Sequence, residues 1–297
     1  MIVKTHAIVL RIFPFSETSR IVTWLTSDYG KISTLMKGSQ RYNSLFLGQF
    51  DFFYTCQLLF YLRNYQGIHI VKECSPLELR ASFRTLWKAT ACASYVADIA
   101  SRICPFHAPH KEIYQWLESA LDFFAVQHSL KKGLFWFELK LLEAMGLSPQ
   151  FNVCMKCGRP LMRAGSRPLP ASDGCFPEHS DLEQPRGVRV NIPGESHNRL
   201  SRDTRRFLFS YRQGGVYCDN CRTEPLRDVI EIDPDIIGIL KFWQESGTWR
   251  VAQRSKCKAQ QIEKIESILG LLLQYHLGIN ISSRNKALEI LTIQVHG

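Results

Sequence analysis

Residues 19–37, SRIVTWLTSDYGKISTLMK, carry a strong signal for β-structure near the start of the chain. Ser19 to Thr26 is rich in β-branched and aromatic side chains, which is typical of a strand. Ser27 to Gly30 has the composition of a hairpin turn. The stretch therefore predicts a hairpin whose return strand, Lys31 to Lys37, ends at Gly38.

Three further runs flank this hairpin and extend the β-region. Ala7 to Leu10, Phe50 to Leu62 and Ile68 to Lys72 are apolar and are separated by turn-forming residues. Five short strands within residues 1–77 predict a small barrel. A five-stranded Greek-key barrel of the OB type is one such fold.

The hydrophobic period changes to that of a helix after Pro76. The fold class predicted is α+β, with an N-terminal OB-fold barrel followed by an α-helical domain that carries an inserted metal module. The helices are predicted over 79–103, 111–128, 131–146, 236–243 and 260–277. The predicted divisions are 1–77 for the barrel, 78–150 for the first helical part, 151–224 for the metal module and 225–297 for the second helical part.

Two Cys-x-x-Cys pairs occur, Cys154 with Cys157 and Cys218 with Cys221. Each pair lies beside glycine, which lets the chain fold back around the sulfur atoms. Four thiolates form the tetrahedral set that Zn²⁺ takes in closed structural sites, so one structural zinc is predicted. A redox dithiol and a chance pairing are the alternatives, and Cys175, His179 or His197 could replace a ligand if one pair were spurious.

Common catalytic motifs are mostly absent from the sequence. The chain contains no G-x-x-x-x-G-K-[ST], no H-E-x-x-H and no G-x-S-x-G motif. Asp233 and Asp235 form the nearest acidic pair, but they flank Pro234 at a predicted helix start, where acids are ordinary partners of the helix dipole. The protein is therefore predicted not to be an enzyme.

The chain is basic, with a formal net charge of +10, and such a chain attracts phosphates of nucleic acid or of membranes. OB folds hold single strands by combining basic grooves with stacking rings. The residues predicted to contact DNA phosphates are Arg20, Lys31, Lys37 and Arg41. The aromatic residues Trp24, Tyr29 and Tyr42 are interspersed with these basic residues along the chain. The alternative for Arg20 and Lys31 is a solvated strand residue, and for Trp24 a core residue.

The sequence contains no apolar stretch of 18 or more residues and no secretory leader pattern. The chain is therefore expected in the cytoplasm. Its 10 cysteines are expected there as reduced thiols and metal ligands.

The ordered motifs together resemble those of the bacterial recombination mediator RecO family. The resemblance spans nearly the whole chain and rests on these segments: Ala7-Ile8-Val9-Leu10, Ser16 to Val22, Thr26 to Gly30, Met36-Lys37-Gly38, Gly146-Leu147-Ser148-Pro149 leading to Cys154, Gly214 to Cys221, His276-Leu277-Gly278 and Ser283-Arg284.

The resemblance implies an OB fold, a helical domain and a zinc knuckle, together with a non-enzymatic role in recombinational DNA repair near the nucleoid. It implies binding and annealing of single- and double-stranded DNA, and partnership with RecR and with the tail of single-strand binding protein. The Arg-rich segment 163–206 suggests an insertion relative to the family. Tyr42-Asn43-Ser44 stands where the family has basic residues after Arg41.

Two other functions remain open from the residues. One is a nucleic-acid-modifying or cleaving enzyme with a structural zinc. The other is an interaction scaffold that does not contact DNA.

Overall fold

The computed structural model describes residues 1–63, 67–126, 129–161, 206–221, 228–278 and 282–293. Within these ranges the chain forms two β-sheets and a set of helices. The strands are β1 Ile2–Pro14, β2 Arg20–Thr26, β3 Gly30–Met36, β4 Thr55–Tyr61, β5 Ile68–Glu78, β6 Gln150–Cys154, β7 Phe207–Ser210, β8 Gly215–Tyr217 and β9 Val229–Ile232. The α-helices are α1 Trp87–Ile103, α2 Lys111–Ala125, α3 Leu130–Ala144, α4 Pro234–Glu245, α5 Trp249–Arg254, α6 Ala259–Leu277 and α7 Ser282–Thr292.

The first five strands form a closed barrel in the order β1-β2-β3-β5-β4. Neighbouring strands are antiparallel except for β3 and β5, which pair in parallel. Closure removes the exposed strand edges that would otherwise template aggregation. The predicted five-stranded barrel is confirmed, although β1 and β5 are longer and β4 is shorter than the sequence pattern indicated.

Trp24 fills the barrel interior, where its indole Nε1 donates a hydrogen bond to Thr34 Oγ1 at 2.7 Å. A buried indole N–H needs a partner, and Thr34 on the neighbouring strand supplies one. Trp24 is thus a core residue, which was the alternative considered for it, and it is not available for stacking on bases.

A register shift in β1 joins the barrel to the helices. The pairing with β2 passes from Val9 directly to Arg11, so that Leu10 is an extra residue. Such bulges redirect side chains. Leu10 packs into the core of the helical domain, and the Arg11 guanidinium reaches Asp98 of α1 at 2.8 Å.

The helical domain is organised around α3, whose residues Leu134 to Leu142 are buried throughout. A helix that is buried on every side belongs in the centre of a domain, and α3 packs against the other six α-helices. The predicted helix over 79–103 begins later than expected, because Ala81–Arg84 forms a 3-10 turn before α1 starts at Trp87. Helices α5 and α7 lie in the second predicted helical part, 225–297, but were not predicted as separate helices.

A buried ion pair fixes the last helix, α7, to this core. Arg284 Nε and Nη2 donate to the two carboxylate oxygens of Glu138 on α3, at 2.7 and 3.2 Å. The Tyr95 hydroxyl donates to the same carboxylate at 2.8 Å. Burial lowers the pKa of Arg284, but the Glu138 carboxylate raises it well above the ordinary value.

Candidate metal centre and nucleic-acid interface

The four predicted zinc ligands come together on the second sheet, whose strand order is β6-β8-β7-β9. Cys154 ends β6, Cys157 lies in the turn that follows, Cys218 follows β8 and Cys221 ends a 3-10 turn. Their four sulfur atoms all lie within 4.8 Å of one another. The spacing of the two pairs along the chain predicted this cluster, but the sheet that supports it was not predicted.

The backbone brings the two cysteine turns together. Met155 N, in the first turn, donates to Val216 O of β8 at 2.9 Å and so joins the two turns. Gly158 N donates to Cys154 O at 2.9 Å and closes the first turn itself. Gly215 lies at the crossing, where an added Cβ would be 2.4 Å from the Met155 side chain and would force that side chain to move. The glycine before the second pair therefore serves close packing of the two turns.

The donor set fits a tetrahedral metal. Zn–S bonds of about 2.3 Å in a tetrahedron place the sulfurs about 3.8 Å apart. The Sγ atoms of Cys157 and Cys218 are 3.7 Å apart. Four sulfurs fill the coordination shell, so the arrangement suits a structural ion and leaves no position for an activated water.

The thiols of this cluster differ in acidity. Burial raises the pKa of Cys154, but hydrogen bonds from the backbone N–H groups of Cys157, Cys218 and Lys156 together have the larger, opposite effect. The pKa of Cys154 is therefore lowered to about 6. Burial and the neighbouring sulfur atoms raise the pKa of Cys221 to about 12. Cysteine binds a metal as the thiolate, so binding an ion here would release protons from the cluster.

Several candidate residues lie outside the part of the chain that the structure describes. They are Cys175, His179 and His197, the alternative ligands, and all but the last residue of the Arg-rich segment 163–206.

Asp233 and Asp235, the acidic pair, lie at the start of α4, and the side chain of Asp235 makes structural contacts there. Its Oδ1 accepts the backbone N–H of Ile236, and its Oδ2 accepts a hydrogen bond from Gln261 of α6. Asp233 occupies the N-cap position. These contacts match the helix-start role that the sequence favoured over a nuclease site.

Three of the four predicted DNA contacts lie at one end of the barrel. Lys37 and Arg41 are exposed in the segment after β3, and Arg20 begins β2, where its guanidinium donates to Gln40 at 3.4 Å. Gln40 N donates to Thr18 O at 2.9 Å, which ties this segment to the β1–β2 turn. We call residues 37–41 the basic loop.

Lys31 differs from the other three because it is buried between the barrel and the helical domain. Its ammonium donates to Ser101 O at 2.6 Å and lies 4.3 Å from the centre of the Phe106 ring. Burial lowers its pKa. The contacts with Ser101 and Phe106 occupy the ammonium, which is not presented to solvent as the side chains of Lys37 and Arg41 are, so the structure does not favour Lys31 as a phosphate contact.

A small cavity of about 170 Å³ lies beside the basic loop. Arg20, Ser39 and Gln40 are among its lining residues. Ser39 is buried, and its hydroxyl has no hydrogen-bond partner among the described residues. The hydroxyl of Ser39 and the guanidinium of Arg20 are donors suited to an anion.

Tyr42 follows the basic loop and is 95% exposed, whereas Tyr29 packs edge-on against Phe60 in the barrel. Of the three aromatic residues singled out in the sequence, Tyr42 has a ring face open to solvent. Sequence reasoning missed Phe13 and Phe106, which are 47% and 51% exposed.

The fold and the site together define an OB-like barrel protein with a basic loop and a four-cysteine centre. Residues 1–80 match the family model described as "Recombination protein O N terminal", and residues 84–188 match "Recombination protein O C terminal". The chain belongs to the RecO family of DNA repair proteins.

Individual relatives cover different shares of the chain. A protein of Syntrophus aciditrophicus named DNA repair protein RecO is 23% identical over 94% of this chain and 93% of its own length. Proteins of the same name from Rhodopirellula baltica and a Roseiflexus species are 29% and 30% identical over 73% and 58% of this chain. The matches cover 66% and 60% of those two proteins.

Among the described residues, no helix has the length and apolarity needed to span a bilayer.

Proposed function

We propose that this protein binds DNA during recombinational repair, anneals complementary strands and assists recombinase loading together with RecR, without covalent change to the DNA. The observation that carries the proposal is the exposed basic loop beside Arg20 at the end of a closed barrel. Membership of the RecO family supports it.

The basic loop would hold the DNA backbone. Lys37 and Arg41 would contact phosphates from solvent, and Arg20 with Ser39 would receive a phosphate in the cavity beside the loop. Tyr42 would stack on a base, since stacking tolerates any sequence. Contacts of this kind give affinity without sequence preference, which a protein acting on arbitrary DNA needs.

Charge reversal tests the basic loop. We expect the double substitution Lys37→Glu and Arg41→Glu to weaken single-strand binding and to reduce the slope of log affinity against log salt by about 1.4, since each phosphate contact contributes about 0.7. Binding is measured by fluorescence anisotropy across a salt series. Lys241→Glu is the control, because Lys241 lies on α4, which packs against α3, α6 and β6.

An unchanged slope in the loop variant would remove this assignment. The same slope change in the Lys241→Glu control would attribute the effect to net charge alone. A wild-type protein that shifts neither single- nor double-stranded DNA at moderate salt would favour the scaffold alternative over the whole proposal.

We also propose that the four cysteines hold one zinc ion. The ion would clamp the turn after β6 to the turn after β8, and thereby hold the small sheet against α4. Metal analysis should give about one zinc per chain, and Cys221→Ser should lower that ratio, whereas Cys257→Ser should not. Cys257 is the control because its sulfur lies beside Ser255, within the helical domain.

A metal content unaffected by Cys221→Ser would show that the ligands lie elsewhere. Zinc absent from the wild-type protein as purified, and not taken up on reconstitution, would remove the metal assignment itself. These metal experiments do not test the role in DNA binding, because the basic loop lies in the barrel and the cysteine cluster lies on the second sheet.

We include partnership with RecR and with the tail of single-strand binding protein in the proposal because the chain belongs to the RecO family. The end of α6, Tyr275 to Leu277, with Ser283 and Arg284 of α7, is a candidate surface for an acidic tail. Arg284 is buried against Glu138, so that it does not rim an open groove. Titration of the labelled full-length protein with purified RecR, and separately with an acidic tail peptide, tests each partnership.

The enzymatic alternative has a direct test. Labelled DNA incubated with the protein and Mg²⁺ should be annealed and recovered at its original length. A cleaved or modified product that increases with protein concentration would instead support the enzyme.

A further inference from the structure

A second basic and aromatic surface lies between the barrel and α1. Residues of β1, β2 and β3 form its floor, and the end of α1 with Phe106 forms one wall, enclosing a cleft of about 610 Å³. Thr23 and Ser33 lie on the floor, with their hydroxyl oxygens 3.4 Å apart. We call this the barrel–helix cleft.

Two arginines converge on one carboxylate at the wall of this cleft. Arg11 Nη2 and Arg102 Nε donate to the two oxygens of Asp98, at 2.8 and 2.9 Å. The side chains of Arg11 and Arg102 are 43% and 44% exposed, against 20% for Asp98. Each guanidinium has five N–H donors, so one carboxylate orients both cations without using up their capacity for an anion.

Two aromatic rings border the same cleft. Phe13 on β1 and Phe106 after α1 are about half exposed. Phe106 is held in place from below, since the Lys31 ammonium lies under its ring and β3 pairs with it at Lys31. A positioned ring with an open face, beside two oriented cations, is the combination that binds single-stranded nucleic acid.

Strand β2 runs from the basic loop to the cleft. Arg20 begins β2 at the loop end of the barrel, and Thr23, three residues further along β2, lies on the floor of the cleft. Three residues of strand span about 10 Å, so one strand of DNA could contact both surfaces.

We infer that the barrel–helix cleft is a binding site for single-stranded DNA, in which Arg11 and Arg102 receive a phosphate and Phe13 and Phe106 stack on bases. This inference rests on the proposed DNA binding and extends it to a surface that the helical domain helps to build. In this arrangement Asp98 orients the arginines but also competes with the phosphate for them.

The competition between Asp98 and a phosphate for the two arginines distinguishes a DNA-binding role of these residues from a purely structural role. Asp98 joins α1 to Arg11 on the barrel, and it also pairs with Arg102 one turn further along α1 itself. If these contacts were only structural, neither Asp98→Asn nor Arg102→Gln would tighten DNA binding. If the cleft binds phosphate, the two changes act in opposite directions on DNA affinity.

The test uses fluorescence anisotropy of the full chain with a labelled oligothymidylate at fixed salt. We expect Arg102→Gln to weaken binding by about 3-fold or more and to reduce the salt slope by about 0.7, the value for one lost phosphate contact on a single strand. Asp98→Asn should tighten binding by about 2-fold or more. Lys241→Gln is the matched control for loss of one positive charge and should leave the affinity unchanged.

Phe106→Ala provides a second variant that leaves the Asp98 contacts in place. We expect it to weaken oligothymidylate binding by about 5-fold or more, because stacking contributes strongly for each base. It should leave the affinity for inorganic polyphosphate, which has no bases, unchanged. Thermal melts of all variants show which of them fold as the wild type does, and Phe106→Ala decides the question if Asp98→Asn does not fold.

Other outcomes overturn the inference. It fails if Asp98→Asn and Arg102→Gln both weaken binding or both leave it unchanged in folded protein, or if Phe106→Ala lowers DNA and polyphosphate affinity equally. Weak binding in the basic-loop variants with normal binding in the cleft variants removes the cleft alone and leaves the proposed function in place. A wild-type protein without affinity for the oligothymidylate removes both.

Discussion

The ion pair between Glu138 and Arg284 attaches α7 to the helical core, and its removal has a predictable cost. The Glu138 side chain is fully buried and that of Arg284 is 7% exposed. Arg284→Met deletes the guanidinium and keeps much of its length. The carboxylate of Glu138 then keeps the hydrogen bond from Tyr95 but loses its counter-charge.

The expected size of the effect follows from burial. Removing one partner of a buried ion pair costs about 3–5 kcal/mol, because the remaining charge stays desolvated. With a urea m-value of about 3 kcal/mol/M, the unfolding midpoint should fall by roughly 1–1.7 M. The pair between Lys241 and Glu245 has side chains that are 36% and 61% exposed, so Lys241→Met should cost less than about 1 kcal/mol.

Urea unfolding followed by tryptophan fluorescence measures both variants, because Trp136 and Trp243 are fully buried in the helical domain. The double variant Arg284→Met with Glu138→Leu should recover part of the loss, since no unpaired charge remains. A cost below about 1 kcal/mol for Arg284→Met, equal to that of the surface control, would refute the argument that the pair is desolvated.

Two further predictions concern the junction between the barrel and the helical domain. Gly30→Ala should destabilise the protein by more than about 1–2 kcal/mol in thermal or urea unfolding, since Gly30 has φ +67° and a Cβ there would lie 2.1 Å from Ala108 O; a loss below about 0.5 kcal/mol would mean that this loop does not pack on the barrel. His69 is buried, and burial followed by the nearby His107 lowers its pKa below 6.5. Its contribution to stability is therefore complete above the unfolded value of about 6.5 and is lost as the pH falls below it, because the unfolded state takes up the proton first. Unfolding free energies between pH 7.5 and 5 should show a shallower decline for His69→Phe than for the wild type, and identical slopes would contradict the assignment.

Local sequence patterns predicted the parts of the fold that depend on neighbouring residues. Alternating β-branched residues and a turn ending in Gly30 predicted the β2–β3 hairpin, and the period of 3.6 predicted α1, α2, α3, α4 and α6. The strands of the second sheet were missed because they are three to five residues long, too short for a period to appear. Helix α5 has six residues and gives no better signal.

The candidate sites divide in the same way. The two Cys-x-x-Cys pairs predicted a metal centre, because each pair is a local turn and the chemistry of four thiolates needs little further information. The basic loop was likewise visible as Lys37 and Arg41 on either side of Gly38. The burial of Lys31 was missed, because its position on a strand says nothing about whether another domain covers that strand.

The sequence by itself determined the barrel, the main helices, the cluster of four cysteines and the basic character of the chain. These follow from periodicity, turn chemistry, ligand spacing and charge, which act over a few residues. Only the tertiary structure decided that Lys31 is buried, that Arg11 meets Asp98 across 87 positions, and that Arg284 meets Glu138 across 146. Such pairings depend on which distant surfaces the packing of the core brings together, and no local pattern encodes that choice.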